Sequence, residues 1–582
     1  MINFQLNKNA SAFVSNCFSK LNDLESINSY LQNQCGIVSF FDNEEDLQEI
    51  KEQVSQLQIT ENQLDRTEYG DFQTNQILAN SVCQRLKEKG SNPKIIIEPT
   101  FGKGHFILAG LNTFSDIEQL IGVEIYKPYC WQAKFSILDF FINNPQLNKP
   151  EIYLHHESVF DFNFKSILIQ NKTKEFLIVG NPPWVTSSDL TVLESTNLPK
   201  KSNFKQHSGL DAMTGKGNFD IGEFISLSLL RIFSNTNGYF AFLIKNAVVK
   251  NLINDQKKNN YAISEIEKQN INASKEFNAA VEACLFICRL NTPPQYICQE
   301  IDFYTQKQIK TFGWVHQKFV SSTETYTKNA FVDGLCPFEW RQGVKHDCSK
   351  IMEFERQNGH FLNSNNEAFE LEEDLVFGLL KSSDLKLPII NKSRKFTIIT
   401  QRKVGQSTDY IGTSLPKTSD YLNKNKEIFA ARKSSIYKSN PPFSIFGIGD
   451  YSFKPFKIAI SGLYKQTAFS LIEPSNGKCL MLDDTCYLLG FDNRNEAVFT
   501  FLLLNSDAAQ GFLNSIIFWD AKRAITKDVL MRIDLIKLVH QTEFIETKNL
   551  AELNGLDSDD LFFNWEKFKS EILAKTQLSL NI

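Results

Sequence analysis

The chain has no apolar run long enough to cross a bilayer. One of its longest, Tyr239-Phe-Ala-Phe-Leu-Ile244, falls far short of the roughly twenty residues a spanning helix needs. Its first residues, Met1-Ile-Asn-Phe-Gln5, show no basic stretch followed by an apolar core, so no signal peptide is expected. The eleven cysteines include no paired C-x-x-C spacing; Cys284 and Cys288 lie in an apolar stretch and read as core thiols, which fits a reducing cytoplasm. Only eight histidines are present, dispersed, with no H-E-x-x-H and no His/Cys cluster, so no metal site is expected. There is no internal repeat. No P-D…(D/E)-x-K constellation marks a nuclease on the same chain.

What remains is a chain of 582 residues with 42% hydrophobic and 22% charged content, which suits a globular protein of two or three domains. The net charge of −5 conceals an asymmetry. Residues 1–65 carry ten acids against three bases, and residues 392–465 carry fourteen bases against four acids, a local excess of +10. Such an excess is a candidate footprint for a polyanion, or else a solvated lysine-rich face. The aromatic residues interleaved with it do not decide between the two.

Residues 1–60 read mostly as helix. From about residue 74 the pattern becomes alternating helix and strand, with strands at 94–97, 120–125, 151–154 and 176–179 and a long apolar helix at 128–143. Asp220-x-x-Glu223 resembles a capping box, placing a helix start near 221. Tyr239 to Ile244 and Val281 to Cys288 would complete the sheet. The fold class is therefore α/β, an open, doubly wound, largely parallel sheet. The polar stretch between Val185 and Asp220 has no clear period and reads as a functional or mobile loop. Pro293-Pro294 reads as the exit from this domain, and residues 330–545 look mixed or β-rich.

Two motifs sit at strand ends. Glu98-Pro-Thr-Phe-Gly-Lys-Gly104 follows the first strand, where Gly102 and Gly104 let the backbone approach a cofactor closely. It is neither G-x-G-x-x-G nor G-x-x-x-x-G-K-[ST], which disfavours nicotinamide dinucleotides and nucleoside triphosphates. Glu124 ends the second strand, placed to accept both hydrogen bonds of a ribose diol. Asn181-Pro182-Pro183-Trp184 follows the fourth strand. The Asn181 amide oxygen and the Pro182 carbonyl can both accept from one exocyclic NH2. Proline stiffens the turn, and Trp184 offers an extruded base a face to stack on.

Taken together, Tyr69-Gly-Asp-Phe-Gln-Thr74, Glu98-Pro-x-x-Gly-x-Gly104, Gly122-Val-Glu-Ile125, Gly180-Asn-Pro-Pro-Trp184 and the weaker Gly238-Tyr-Phe-Ala-Phe-Leu-Ile244 resemble the catalytic domain of gamma-class (Taq-type) S-adenosylmethionine-dependent DNA adenine-N6 methyltransferases of restriction–modification type. The resemblance spans residues 66–290. It implies a Rossmann-like methyltransferase sheet over 66–300, after an N-terminal helical extension (1–65) and before a C-terminal mixed α/β or β-rich DNA-recognition domain (301–582). It implies S-adenosylmethionine as cofactor, with Thr74 and Glu98 at its methionine end, Gly102 and Gly104 shaping the pocket and Glu124 on the ribose. The family usually places an Asp on the cofactor's adenine. Here Ser158 matches that position, with Glu157 and Asp161 as alternatives and Val159 packing on the ring.

In the implied reaction, Asn181 and the Pro182 carbonyl hold the target amine while Trp184 stacks on the flipped adenine, and Phe277 is a candidate opposite wall. Looser patches, Arg341-Gln-Gly-Val-Lys345 and Trp519 to Asp528, resemble recognition domains. They add Lys522 and Arg523 to Arg402 and Lys403 as candidate DNA contacts. The expected partners are duplex DNA and a separately encoded endonuclease, with no membrane, and the expected state is a cytoplasmic monomer. Methylation of RNA, of cytosine N4 or of a protein glutamine uses the same tetrapeptide, and a catalytically silent DNA-specificity subunit is the rival from another class. The +10 segment favours DNA, and Asn as the first residue of the tetrapeptide favours adenine.

Overall fold

The computed structural model describes residues 8–56, 72–186, 219–556 and 561–579. The chain divides into two compact units between Phe319 and Val320. The first unit opens with helices α1 (Lys8–Lys20), α2 (Leu24–Cys35) and α3 (Glu44–Gln56). There follow α4 (Gln76–Glu88), β1 (Ile95–Glu98), α5 (His105–Thr113), β2 (Gln119–Glu124), α6 (Lys127–Asn143), β3 (Glu151–His156), α7 (Phe164–Gln170) and β4 (Phe176–Gly180). After residues 187–218, which lie outside the described residues and hold most of the expected loop, come α8 (Ile221–Phe233), β5 (Gly238–Lys245), α9 (Asn246–Asn259), β6 (Ile263–Ile271), α10 (Ala273–Phe277), β7 (Ala283–Leu290), β8 (Ile297–Asp302), β9 (Gln308–Val315) and β10 (Lys318–Val320).

These strands form one ten-stranded sheet in the order β10-β9-β8-β6-β7-β5-β4-β1-β2-β3. From β3 to β5 every neighbouring pair is parallel. The order reverses at β1, with β2 on one side and β4 on the other, so the carboxyl ends of β1, β2 and β4 border the crevice where open α/β sheets bind ligands. The apolar runs Ile95–Ile97 and Phe176–Val179 are buried throughout, as strands covered by helices on both faces must be. The mixed α/β class with a parallel-rich sheet is thus the observed one.

Two features differ from the sequence expectation. First, the sheet does not end near residue 293. The expected division after residue 300 falls inside β8, and β6 through β10 extend the sheet by antiparallel and parallel pairs. The cause of the miss is polarity. Glu267, Lys268 and Gln269 are buried on β6, and Lys268 pairs with Glu300 of β8 at 3.0 Å, so the strand does not read as apolar. Second, Asp220 caps α8 by accepting from Gly222 and Glu223, but the Glu223 side chain takes a hydrogen bond from Asn251 rather than reaching back to the cap.

The N-terminal helices share one hydrophobic core with the sheet. Ile37 pairs with Ile152 as a one-residue parallel strand, closing the otherwise open edge of β3. Phe40 and Phe41 pack on Trp131 of α6. The acidic excess here is partly spent locally: Asp46 pairs with Lys127 at 2.7 Å, and Asp42 lies 3.7 Å from the buried Lys134.

The second unit holds two further sheets. One has the order β11 (Arg341–Gln342), β21 (Cys486–Phe491), β18 (Phe456–Ser461), β19 (Ser470–Ile472), β16 (Ile389–Ile390). The other runs β14 (Ala368–Phe369), β13 (His360–Asn363), β12 (Glu353–Gln357), β17 (Lys395–Ile398), β15 (Val376–Leu380), β20 (Met481–Leu482). Helices Arg494–Leu504 and Asp507–Ile516 follow. The mixed character expected for this region is what is found.

Candidate active site

The turn after β1 is built around its two glycines. Gly102 (φ +52°) and Gly104 (φ +81°) occupy the left-handed region. A Cβ on Gly102 would lie 2.5 Å from the Gln73 side-chain oxygen, and one on Gly104 would lie 2.9 Å from the Ala133 methyl. Glycine is needed on both counts, conformation and space. Gln73 fills the space beside Gly102 and accepts from the Lys103 N–H at 3.1 Å. Glu124, at the end of β2, accepts from the Gly102 N–H (2.9 Å) and from the Tyr126 N–H (2.8 Å). The carboxylate of one strand end thereby sets the backbone of the neighbouring one.

Asn181 follows β4 beside this turn. Its Nδ2 donates to the Phe72 carbonyl at 2.6 Å and to Thr74 Oγ1 at 3.2 Å. A carbonyl only accepts, so the amide orientation is set: nitrogen faces Phe72, and Oδ1 faces away. Oδ1 is buried and has no hydrogen-bond partner among the described residues. The 72–74 segment is held in turn by Asn75, which caps α4 by accepting from Leu78 and donates to Glu276 of α10 at 3.0 Å.

Glu98 supplies a second such atom. It is 2% exposed, and its Oε2 is likewise without a partner among the described residues. Burial pushes its carboxyl well above the usual carboxylate range. The Ile107 N–H opposes that shift and the charge of Glu124 adds to it. His105, the first residue of α5, is held below its usual range by burial, against a hydrogen bond to the Thr74 backbone. A narrow cleft is lined by Phe72, Thr74, Glu98, Gly102, His105 and Asn181, among others.

Four of the residues expected at the site, Thr74, Glu98, Gly102 and Asn181, thus meet at one cleft. Glu124 joins them through Gly102. Ser158 and Val159 lie in the turn after β3, where Ser158 Oγ accepts from the Phe160 N–H at 3.3 Å and Val159 is half-buried; neither lines this cleft. Trp184 is not an open platform. It is 6% exposed, wedged between Phe72 (centroids 5.1 Å) and Phe277 (4.9 Å), with its indole N–H donating to the Leu243 carbonyl at 3.2 Å. Phe277 is therefore the neighbour of Trp184 in a common core rather than a wall facing it across a gap. Phe72, Gln73 and His105 were not singled out from sequence. His105 had a signal, being the first residue past the glycine turn, while the Phe72 carbonyl, a backbone atom, had none. Tyr69 to Asp71 lie outside the described residues.

Against this geometry, comparison with known proteins is informative. The type II methyltransferase M.NspV of Nostoc sp. is 38% identical over 475 residues, which are 81% of this chain and 97% of that protein. The chain belongs to the type II methyltransferases. No family model matches it. Among solved structures, the type IIL restriction–modification enzyme MmeI in complex with DNA aligns over 86% of this chain and 72% of its own, at 12% identity and a TM-score of 0.47. The type IIG restriction endonuclease BpuSI aligns over 92% and 67%, at 14% identity and a TM-score of 0.33.

As a type II methyltransferase, the protein raises the question of how its basic segment is disposed. Arg402 and Lys403 are exposed in the loop after β17. Lys522 and Arg523 are exposed in the turn between helix Asp507–Ile516 and helix Lys527–Leu530. Of the other bases in 392–465, five pair with acids outside the segment: Arg394 with Asp384, Lys395 with Glu353, Lys417 with Glu370, Lys424 with Glu367 and Lys454 with Asp492. Two more are turned inwards, Arg432 half-buried and Lys457 buried. Arg432 donates to the carbonyls of Phe429, His346 and Ser444 and lies 3.6 Å from the Tyr437 ring centroid. Lys457 is 1% exposed, donates to the Lys454 and Leu480 carbonyls and is pushed down to about 8 by burial. Half of the fourteen bases are thus already engaged within the second unit.

Proposed function

We propose that this methyltransferase transfers a methyl group from S-adenosylmethionine to the N6 amino group of a flipped-out adenine in duplex DNA, with the gamma-class arrangement. The observation that carries the reading is Asn181 Oδ1: a buried acceptor, locked in direction by the Phe72 carbonyl, with no donor among the described residues. A buried acceptor left unpaired costs roughly 1–3 kcal/mol, so a donor is expected to arrive there in use. An exocyclic NH2 is such a donor. Adenine's amino lone pair is delocalised into the ring. An acceptor fixed on one N–H, with a backbone carbonyl at Pro182 for the other, draws the nitrogen towards a pyramidal, nucleophilic form. The same acceptors favour the positive charge that grows on it, which is preorganised electrostatics rather than base catalysis.

The cleft residues suit the proposed cofactor. Glu98 offers a buried carboxyl with a vacant acceptor to an ammonium group, and a cation there would restore its charge. The left-handed glycines admit close backbone approach, and Glu124 is fixed at the strand end where a ribose diol binds in this sheet type. S-adenosylmethionine, when bound, supplies the electrophilic methyl. Thr74 and Phe72 hold Asn181, and Gln73 holds the glycine turn, so the segment before α4 joins the cofactor side of the cleft to the target side. The second unit is read as the DNA-recognition domain.

Methylation-aware sequencing of DNA from cells expressing the protein tests this reading. N6-methyladenine at a fixed sequence context is the expected result. N4-methylcytosine in its place would keep the mechanism and move the target base, and absence of any new mark would overturn the function.

A further inference from the structure

Within the second unit, Arg402 stands apart from the other two arginines of its segment, Arg394 and Arg432. It has no carboxylate partner among the described residues and is not turned inwards. Its guanidinium lies over the Phe453 ring at 4.7 Å, and its backbone N–H is accepted by Gln406 Oε1 at 2.7 Å. It borders a cavity of about 220 Å³ together with Phe377, Ile399, Tyr410, Phe453 and Asp374. The loop that carries it is tied down. Gln401 donates to the Gln406 carbonyl and accepts from the Ile445 N–H, while Thr400 and Thr408 bond to the Phe443 and Pro442 carbonyls. The neighbouring loop, 431–443, carries Lys433 and Lys438, which with Lys403 are exposed and form no ion pair among the described residues.

We infer that Arg402 reads a guanine in the recognition sequence, while Lys403, Lys433 and Lys438 contact phosphates. The inference rests on the DNA reading above. A planar fork of donors braced on an aromatic ring is pre-oriented for two acceptors lying in one plane, as guanine O6 and N7 do in the major groove. The carboxylate of Asp374 borders the same cavity and discourages an anion there, an effect partly offset by Lys478, whose ammonium lies over the Phe377 ring. That carboxylate instead accepts readily from a neutral amine such as cytosine N4, the partner of guanine in its base pair. The exposed lysines have no such aromatic brace. They are the point charges that sequence-independent backbone binding requires.

The test uses the full chain, S-adenosylmethionine and a duplex library randomised around the methylated site, with the methylated molecules sequenced. Arg402→Met keeps an apolar stem against Phe453 and removes the donors, and Arg402→Ala removes both. Both variants are expected to lose discrimination for guanine at one position by about ten-fold or more, with the remaining positions unchanged. Lys403→Ala and Lys433→Ala are expected to keep the sequence preference and to lower the slope of log affinity against log salt by about one each. An unchanged preference in both Arg402 variants overturns the inference; with a reduced salt slope it makes Arg402 a phosphate contact, and with an unchanged slope a structural brace. A wild-type protein that methylates no duplex overturns the DNA reading itself, a result distinct from either.

Discussion

The cleft after β1 and β4 and the basic segment of the second unit present opposite relations between sequence and chemistry. In the cleft, two polar atoms, Asn181 Oδ1 and Glu98 Oε2, are buried without partners among the described residues. In the basic segment, seven of fourteen charges already have partners or are buried inside the unit. A site that must receive a ligand leaves valences open where solvent cannot fill them, at a cost in stability. A surface that must carry charge satisfies part of it and exposes the remainder. Counting charges along the chain therefore overstates a footprint, whereas a short strand-end motif understates a site, because its partners come from other strands.

The comparison breaks first at Asn181. Asn181→Ala removes the acceptor proposed for the target amine and leaves Glu98, Gly102 and Glu124 in place. Methyl transfer is expected to fall by at least about 100-fold, in the range found for loss of one preorganised electrostatic contact. S-adenosylmethionine affinity, measured by calorimetry, is expected to hold. Retained activity would show that the open valence at Oδ1 has another use.

The basic segment yields the next largest effect, in stability instead of activity. Arg432 bonds three carbonyls; Arg432→Ala takes this donor from those of His346 and Ser444, while Phe429 keeps the backbone N–H of residue 432, and is expected to cost about 2 kcal/mol or more in denaturant unfolding. Lys433→Ala, one residue away and exposed, is expected to change unfolding by less than about 0.5 kcal/mol. The adjacent pair separates structural from footprint charge, and equal unfolding effects would dissolve the distinction.

Sequence showed the parallel half of the sheet well. Ile95–Ile97, Phe176–Val179 and Phe240–Ile244 are apolar because helices cover both faces, and that burial is what periodicity detects. It did not show β6 and β8, whose buried Lys268 and Glu300 satisfy one another and so look like surface. The strand-end residues Glu98, Gly102, Glu124 and Asn181 were legible from their order along the chain. The cross-links that make them a site were not. Phe72 acts through its carbonyl, and Trp184 turns inwards because Leu243 offers its indole a carbonyl. Arg432 counts towards the basic excess on composition, but the carbonyls that claim it lie at residues 346, 429 and 444.

Glu98 sharpens the comparison through pH. Its carboxyl in the folded protein is held well above its value in the unfolded chain, about 4.3. Below that pH both states are protonated and nothing is lost. As pH rises past it, the unfolded chain releases the proton and the folded one retains it, so stability falls until the folded carboxyl ionises too. Glu98→Gln removes that dependence. The variant is expected to match the wild type in melting temperature near pH 4 and to exceed it at pH 8. On the proposed cofactor placement, its S-adenosylmethionine affinity should drop by at least about 1 kcal/mol, since a neutral amide replaces the carboxylate offered to the ammonium group. A lower melting temperature at pH 8 would mean that Glu98 is ionised and paired in the folded protein.

The smallest effect expected in the first unit belongs to Trp184, and it decides whether the fourth residue of the motif faces ligand or core. A platform for a flipped base needs only an aromatic face, so Trp184→Phe would leave both stability and base binding almost intact. A wedge anchored by its indole N–H predicts otherwise. Phenylalanine keeps the contacts to Phe72 and Phe277 but leaves the Leu243 carbonyl without its donor, which is expected to cost about 1 kcal/mol in unfolding. Methyl transfer by that variant should persist, because Asn181 is held by Phe72 and Thr74 and not by the indole. Should Trp184→Phe unfold at the wild-type denaturant concentration while losing affinity for DNA containing an extrahelical adenine, the ring must leave the core on binding. Phe72, packed against it at a tilt, would then have to move too, and the Asn181 Nδ2 contact to the Phe72 carbonyl would couple base entry to the acceptor proposed to act on it.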